Sequence, residues 1–287
     1  MSIATKCMTV NLQIGTWNAQ RLDKSASAAV TSNAGAANDA ARVNKHLIPK
    51  ESLKPIITAA NALRSHFYDK TLPWKDNGDR LLTRKMYQPF LEEHSRLLGN
   101  FNDAVEHFIT VEYLAARERA CFRMGSLFNM DDYPHPDHLR RRFYVNLDLD
   151  AVTEAGDFRV DLDKAELDHI RGDIEAGLNR RIETAMRDVW QRLSTILGHF
   201  ADKMASDSVF RNSTVSNLEE IVAMLPALNV TDDPELDRIG SEIRTYIIGY
   251  QPEDLRKDAD IRSTAATQAQ RIMDDMKGFM AAFGEAA

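Results

Sequence analysis

At 287 residues, with 44% hydrophobic and 28% charged side chains, the chain has apolar material for a sizeable core, as one elongated domain or two compact ones. No apolar run approaches the ~18 residues a membrane span needs. The opening MSIATKCMTVNLQIGTW carries one lysine and then alternates, without a signal-type apolar block. Two cysteines, Cys7 and Cys121, are too few for a disulfide framework, so a reducing cytoplasm is the expected location, with no membrane partner. The net charge of −7 is uneven: residues 1–100 hold 14 Lys/Arg against 8 Asp/Glu, and the remainder 22 against 35. The N-terminal third is therefore the part suited to an anionic partner, although ordinary variation in surface charge gives the same count.

In chain order, residues 8–17 alternate, with Met8, Val10, Leu12 and Ile14 on one side, and read as a short strand that Gly15 interrupts. Residues 24–42 are almost all small. Such a segment is either a loop between helical turns or a place where exposed amides cradle phosphate. Leu53, Ile56, Ile57, Ala60, Leu63 and Phe67 share one side of a helix over 52–68, with Pro55 in its first turn. In TLPWKDNGDRLLT, Asn77-Gly78 signals a hairpin with a type I′ turn, Trp74 and Leu81/Leu82 lying on its arms.

The longest element runs from Met86 to Phe128. Tyr87, His94, Phe101, Phe108, Ala115 and Phe122 recur at seven-residue steps, interleaved with Phe90/Leu91, Leu97/Leu98, Ala104/Val105 and Val111. That second row fails at Glu118, where Leu114 and Cys121 supply apolar cover on the neighbouring strip. An α-helix with such a stripe must bury it against another helix. The expected partner carries Leu167, Ile170, Ile174, Leu178, Ile182, Ala185, Val189, Leu193, Ile196, Phe200 and Met204. Between the two, the prolines of NMDDYPHPDHLRRRF precede a short basic helix, and 143–150 with 158–162 read as a second hairpin. Asp163 and Glu166 have capping-box spacing at the start of the second long helix, as do Ser216 and Glu219 before IVAMLPAL. Asp233-Pro234 starts a helix through Ile247, and a last helix with a break spans about Pro252 to Phe283.

The fold class expected is mainly α. It comprises a long, coiled-coil-like antiparallel helical hairpin, two small β-hairpins and a helical C-terminal subdomain, over consecutive regions 1–85, 86–206 and 207–287.

Walker, GxGxxG, HExxH and GxSxG patterns do not occur, and no cofactor is expected. His135 and His138, beside Asp131, Asp132 and Asp137, are the densest group of metal-ligating types. N-capping acids and exposed histidines account for the same letters, and no metal site is assigned. Asp148, Asp150, Asp161 and Asp163 alternate as carboxylates of a two-metal nuclease would, but also as the polar side of any half-buried strand pair. Cations interleaved with aromatics, the combination that holds single-stranded nucleic acid, occur around Arg64–Trp74, Arg80–Tyr87 and Arg140–Tyr144. The candidate nucleic-acid contacts are Trp17, Arg42, Lys45, Trp74, Arg80, Arg84 and Lys85.

The stretches LQIGTWNAQRLDKSASAAVTSNAGAANDAARVNK and HFYDKTLPWKDNGDRLL, with FRVDLDKAELDHIR and DVWQRL, resemble a family of helical proteins from tailed phages and integrative mobile elements. The resemblance spans most of the chain and brings no catalytic residues with it. It implies a setting near recombination genes and MoxR-like ATPases. The function expected is a non-enzymatic phage protein that oligomerises and binds single-stranded DNA or a DNA-processing assembly, as a replication or recombination accessory. The alternative is a protein-interaction adaptor or inhibitor, such as an ATPase partner, host-factor binder or virion component. Met273, Met276 and Met280 on the last helix would suit an adaptable interface.

Overall fold

The structure, a computed structural model, describes residues 2–160, 163–206 and 211–282. In chain order it comprises α1 (Ile3–Lys6), β1 (Cys7–Gly15), β2 (Gln20–Asp23), α2 (Lys24–Asn33), β3 (Val43–His46), α3 (Lys54–Lys70), β4 (Leu72–Pro73), β5 (Arg80–Thr83) and α4 (Arg84–His107). There follow a π-helical turn Phe108–Glu112, α5 (Tyr113–Met124), α6 (Pro136–Arg140), β6 (Tyr144–Ala151), α7 (Lys164–Ala205), α8 (Asn212–Leu228), α9 (Pro234–Tyr246), α10 (Pro252–Lys257) and α11 (Ala259–Ala282). The protein is thus mainly α with a small antiparallel component. No described helix is long and apolar enough to cross a membrane.

Contacts group the chain into two units, each assembled from separated segments. The first comprises 1–11, 69–88 and 148–287, the second 12–68 and 89–147, a grouping that cuts across the consecutive regions 1–85, 86–206 and 207–287. Each unit has its own core, and the two stripes expected to form a helical hairpin are buried in different ones. The α7 stripe (Ala185, Val189, Leu193, Leu197, Phe200, Met204) is buried in the first core with Leu218, Ile221, Val222 and Leu225 of α8 and Ala265, Ala269, Ile272 and Met276 of α11. The α4–α5 stripe (Leu97, Phe101, Val105, Phe108, Tyr113) is buried in the second, with Ile56, Ala60 and Leu63 of α3. Two apolar stripes of similar length need not face each other when the chain supplies other helices to cover each.

The π turn explains where the heptads fail. Up to Val105 the buried residues are Phe90, His94, Leu97 and Phe101, at the spacing read from sequence. The wide turn then absorbs one extra residue, rotating everything beyond it by about 100° relative to a straight helix. Both Phe108 and Ile109 are buried, and the core side continues through Tyr113, Ala116 and Ala120. The residues expected to carry the stripe onward are turned outward: Val111 and Phe122 of the heptad rows are 51% and 93% exposed, and Leu114 of the neighbouring strip 42%. Glu118 sits on this outer strip, so its charge costs no burial.

In the first unit, β1 pairs antiparallel with β5 (Cys7↔Thr83, Val10↔Arg80) and β5 with β4 (Leu72↔Leu81, Pro73↔Arg80). The sheet order is β4-β5-β1-β6. The first expected hairpin is present, but its turn is wider than type I′. Lys75 N–H donates to Asp79 O at 3.1 Å, and only Gly78 has positive φ (+95°), Asn77 bonding Asp79 with its side chain instead. The second expected hairpin does not form. β6 pairs with β1, as Thr9 Oγ1 donating to Asp150 O at 3.2 Å illustrates, while 158–160 are not strand and 161–162 lie outside the described residues. Asp163 caps α7 by accepting from Glu166 N–H at 3.0 Å, whereas α8 begins before Ser216, whose hydroxyl bonds Asn212 O inside the helix. Asp233 caps α9, and Asp258 supplies the break between α10 and α11; the expected end at Phe283 lies outside the described residues.

In the second unit the small-residue stretch is largely the helix α2, capped by Asp23, whose Oδ1 accepts from Ala26 N–H at 2.9 Å. The hairpin β2–β3 precedes and follows it, with Gln20↔His46 and Asp23↔Val43 in register.

Candidate functional site

Of the seven residues proposed from sequence to contact nucleic acid, four are engaged inside the fold. Trp17 is 6% exposed and packs edge-on against Tyr113, ring centroids 5.7 Å apart. Trp74 is 5% exposed in the core of the first unit. Neither indole offers a stacking face to a base. Lys45 is half-buried against two carboxylates, its Nζ 2.6 Å from Asp132 Oδ2 and 3.4 Å from Asp23 Oδ2, and it donates to Leu127 O at 3.0 Å. The Ala26 amide and the Ser25 hydroxyl, with Lys45 adding to them, hold Asp23 down to about 2. Arg80 ties down the chain before it, Nε donating to Thr71 Oγ1 at 2.7 Å and Nη2 to Thr71 O at 2.9 Å. Aromatic and cationic letters in a run therefore mark core and bracing here. Arg42 is exposed and belongs to the second unit, Arg84 and Lys85 to the first.

Arg84 and Lys85 remain, and the structure gives them a setting. At the start of α4 they line a cleft of about 360 Å3 with Thr5, Lys6, Thr83, Pro226, Ala227, Asn229, Val230 and Asp232, all of the first unit. Three stretches of chain build it. The register Cys7↔Thr83 sets Lys6 beside the β5–α4 junction, and Thr83 Oγ1 accepts from Met86 N–H at 3.3 Å, fixing where α4 begins. The end of α8 and the turn after it supply the other wall. There Asn229 accepts from Asp233 N–H at 2.7 Å and donates to Asp237 at 3.1 Å, so its amide is committed to the wall. Asp232 adopts φ +56°, a left-handed conformation that short polar side chains tolerate.

Lys6 Nζ lies 2.5 Å from Asp232 Oδ2 and donates to Val230 O at 3.1 Å; Lys85 Nζ donates to Pro226 O at 2.9 Å. Arg84 is exposed and, among the described residues, has no hydrogen-bond or ion-pair partner. The hydrogen bond from Lys6, then its charge, holds the Asp232 carboxyl below the ordinary carboxylate range. Three cations against one carboxylate leave a formal excess of two positive charges. The α4 N-terminus contributes about +0.5 and the α8 C-terminus about −0.5, which offset each other, so the side chains decide the sign. The cleft attracts anions. Its floor of Pro226, Ala227 and Val230 is apolar, suited to a sugar or base edge rather than to bare phosphate alone.

Sequence reasoning missed Lys6 and Asp232, which are separated by more than 220 residues and pair only through the fold. The carboxylate and histidine groups are placed as follows. His135 caps α6, its Nδ1 accepting from Asp137 N–H at 3.3 Å, and its ring centroid stands 6.2 Å from that of His138. Asp132 is turned to Lys45. Asp148 and Asp150 are exposed on β6, Asp163 caps α7 and Asp161 lies outside the described residues. Among the described residues no three His, Cys, Asp or Glu side chains converge as metal ligands would.

No family model, no curated protein and no solved structure matches this chain.

Proposed function

We propose that the protein binds single-stranded nucleic acid through the cleft of Lys6, Arg84 and Lys85, in a binding rather than a catalytic role, as an accessory of a DNA-processing assembly. The observation that carries this reading is Arg84, an exposed guanidinium without a partner among the described residues, lining a cleft with two further cations and the apolar Pro226, Ala227 and Val230. Arginine and lysine in such a lining neutralise phosphates, and the apolar residues accept the flat face of a base or sugar. A setting in phages or mobile elements, in the host cytoplasm, agrees with the resemblance of the two N-terminal stretches. Size-exclusion chromatography with light scattering, with and without a single-stranded oligonucleotide, tests the reading. A defined complex at low salt that Arg84→Glu with Lys85→Glu abolishes supports it; unchanged elution of the wild type refutes it.

A second reading, as a protein-interaction adaptor or a self-associating subunit, is favoured by the outer strip of Val111, Leu114 and Phe122. An almost fully exposed phenylalanine in line with two further apolar side chains is the usual mark of a contact surface. The same light-scattering experiment reads the mass of the free protein: a multimer that Phe122→Ser converts to monomer supports self-association through the strip.

A further inference from the structure

The first unit carries a second cationic cavity, separate in its residues from the cleft at Lys6. It encloses about 400 Å3 and is lined by Pro73, Trp74, Lys75 and Asp76 of the first hairpin and by Gly177, Arg180, Arg181 and Thr184 of α7. Arg180 and Arg181 are successive residues, so their Cβ atoms diverge by about 100° around the helix. Their guanidinium groups nonetheless converge. A Cβ on Gly177 would lie 3.2 Å from Arg181 Nη2 and 3.8 Å from Arg180 Nη2, so the two nitrogens are no more than 7.0 Å apart. Arg181 is held by the buried Trp74 ring, its guanidinium carbon 5.6 Å from the ring centroid. Among the described residues neither arginine has a carboxylate partner. Lys75 adds a third cation, shared with Asp79 at 3.4 Å, and Asp76 is the one carboxylate in the lining. Glycine is unfavourable inside a helix relative to alanine, and here it stands where the two guanidiniums need room.

Two guanidiniums that repel each other, one clamped on an indole and neither neutralised, are arranged for a group bearing several oxygens and negative charge. Arginine's planar fork matches phosphate in geometry as well as in charge. We propose that Arg180 and Arg181, with Lys75, form a phosphate-binding site on α7. A free phosphorylated compound and a nucleic-acid strand present the same phosphate to it, and the chemistry of capture is the same. The site does not depend on the reading of the Lys6 cleft.

Calorimetric titration of the full chain with inorganic phosphate tests it. The wild type should bind saturably, and Arg180→Gln should weaken binding about tenfold, the effect of losing one charge-assisted hydrogen bond. Because the Lys6 cleft also attracts anions, the titration is repeated in Arg84→Glu with Lys85→Glu, where the saturable phosphate binding that remains should weaken about tenfold when Arg180→Gln is added. Gly177→Ala separates binding from folding: the helix gains thermal stability while phosphate binding weakens, a combination that a general structural defect does not produce. A parallel titration with a short single-stranded oligonucleotide assigns the source, since loss of its affinity in Arg180→Gln places a strand phosphate in the site. Absence of saturable phosphate binding in the wild type, or equal affinity in Arg180→Gln, overturns the proposal.

Discussion

Deleting one residue from the π turn should be nearly harmless, although a deletion in the middle of a long helix is ordinarily destructive. Thr110 is exposed within the turn, its hydroxyl bonded only to Glu106 O at 2.8 Å. Removing it leaves four residues where five made the wide turn, and the segment closes as ordinary α-helix. Because the turn already carries one residue in excess, Tyr113, Ala116 and Ala120 stay on the side that continues from Val105 and Ile109. Deleting exposed Asn102 instead leaves the wide turn in place and rotates one flank of α4 against the other by about 100°. Tyr113 shows the scale of that loss: it is fully buried, meets Trp17 edge-on and Phe108 at a tilt, and donates to Pro134 O at 2.7 Å. Losing one such aromatic costs about 3–5 kcal/mol, a large part of the 5–15 kcal/mol that holds a typical domain. The Thr110 deletion should therefore stay within about 1 kcal/mol of wild type in urea unfolding followed by tyrosine and tryptophan fluorescence, while the Asn102 deletion unfolds the second unit. Equal damage from the two deletions would refute the argument that the turn stores a frame shift.

Three further predictions concern single sites. Burial, and to a lesser degree the charge of His66, pushes the His94 imidazole below its ordinary value, and His94 Nδ1 has no partner. The folded state thus binds fewer protons than the unfolded state as pH falls below about 6.5, and stability should drop there by at most about 1.4 kcal/mol per pH unit; a His94→Met variant with the same pH slope between 7 and 5.5 would contradict this. A Cβ on Gly15 would fall 2.2 Å from the Tyr144 ring, so Gly15→Ala should cost about 1–3 kcal/mol and Tyr144→Ala in the same chain should recover most of it, whereas simple additivity in the double-mutant cycle would disprove the clash. Trp190 is 1% exposed with an indole N–H that meets no acceptor. Trp190→Phe should accordingly lie within about 1 kcal/mol of wild type, the relieved desolvation offsetting lost contact area, and a cost matching Trp190→Ala would show that the N–H is satisfied.

Much of the architecture was legible in the apolar spacing. The helices at 54–70, 84–107 and 164–205, the strand opening at Cys7 and the hairpin around Gly78 follow from periodicity, caps and turn chemistry. The choice of partners was not. A stripe states that it must be covered, and α7 is covered by α8 and α11 rather than by α4, a choice that depends on chain connectivity more than on any one residue. The π turn was visible only as a symptom, the failure of the heptad at Glu118, because a frame shift in the sequence and a diverging partner leave the same trace. At the site, Arg84 and Lys85 were singled out as cations interleaved with aromatics, and both side chains are exposed in the fold, which the buried indoles are not. The burial of Trp17 and Trp74 was not legible, since burial of an aromatic is decided by what packs on it. Lys6, Asp232, Arg180 and Arg181 carried no local signal, for their meaning comes from residues more than 100 positions away.

The cleft of Lys6, Arg84 and Lys85 is proposed to hold the phosphates of a single strand. Fluorescence anisotropy of a labelled oligothymidine, titrated with protein at several salt concentrations, tests it most directly. With three cations engaged, the logarithm of affinity should fall with the logarithm of salt at a slope of about −2, and Arg84→Glu with Lys85→Glu should weaken binding and flatten the slope toward about −0.7. A double variant that binds as tightly as wild type, with the same slope, would contradict the claim.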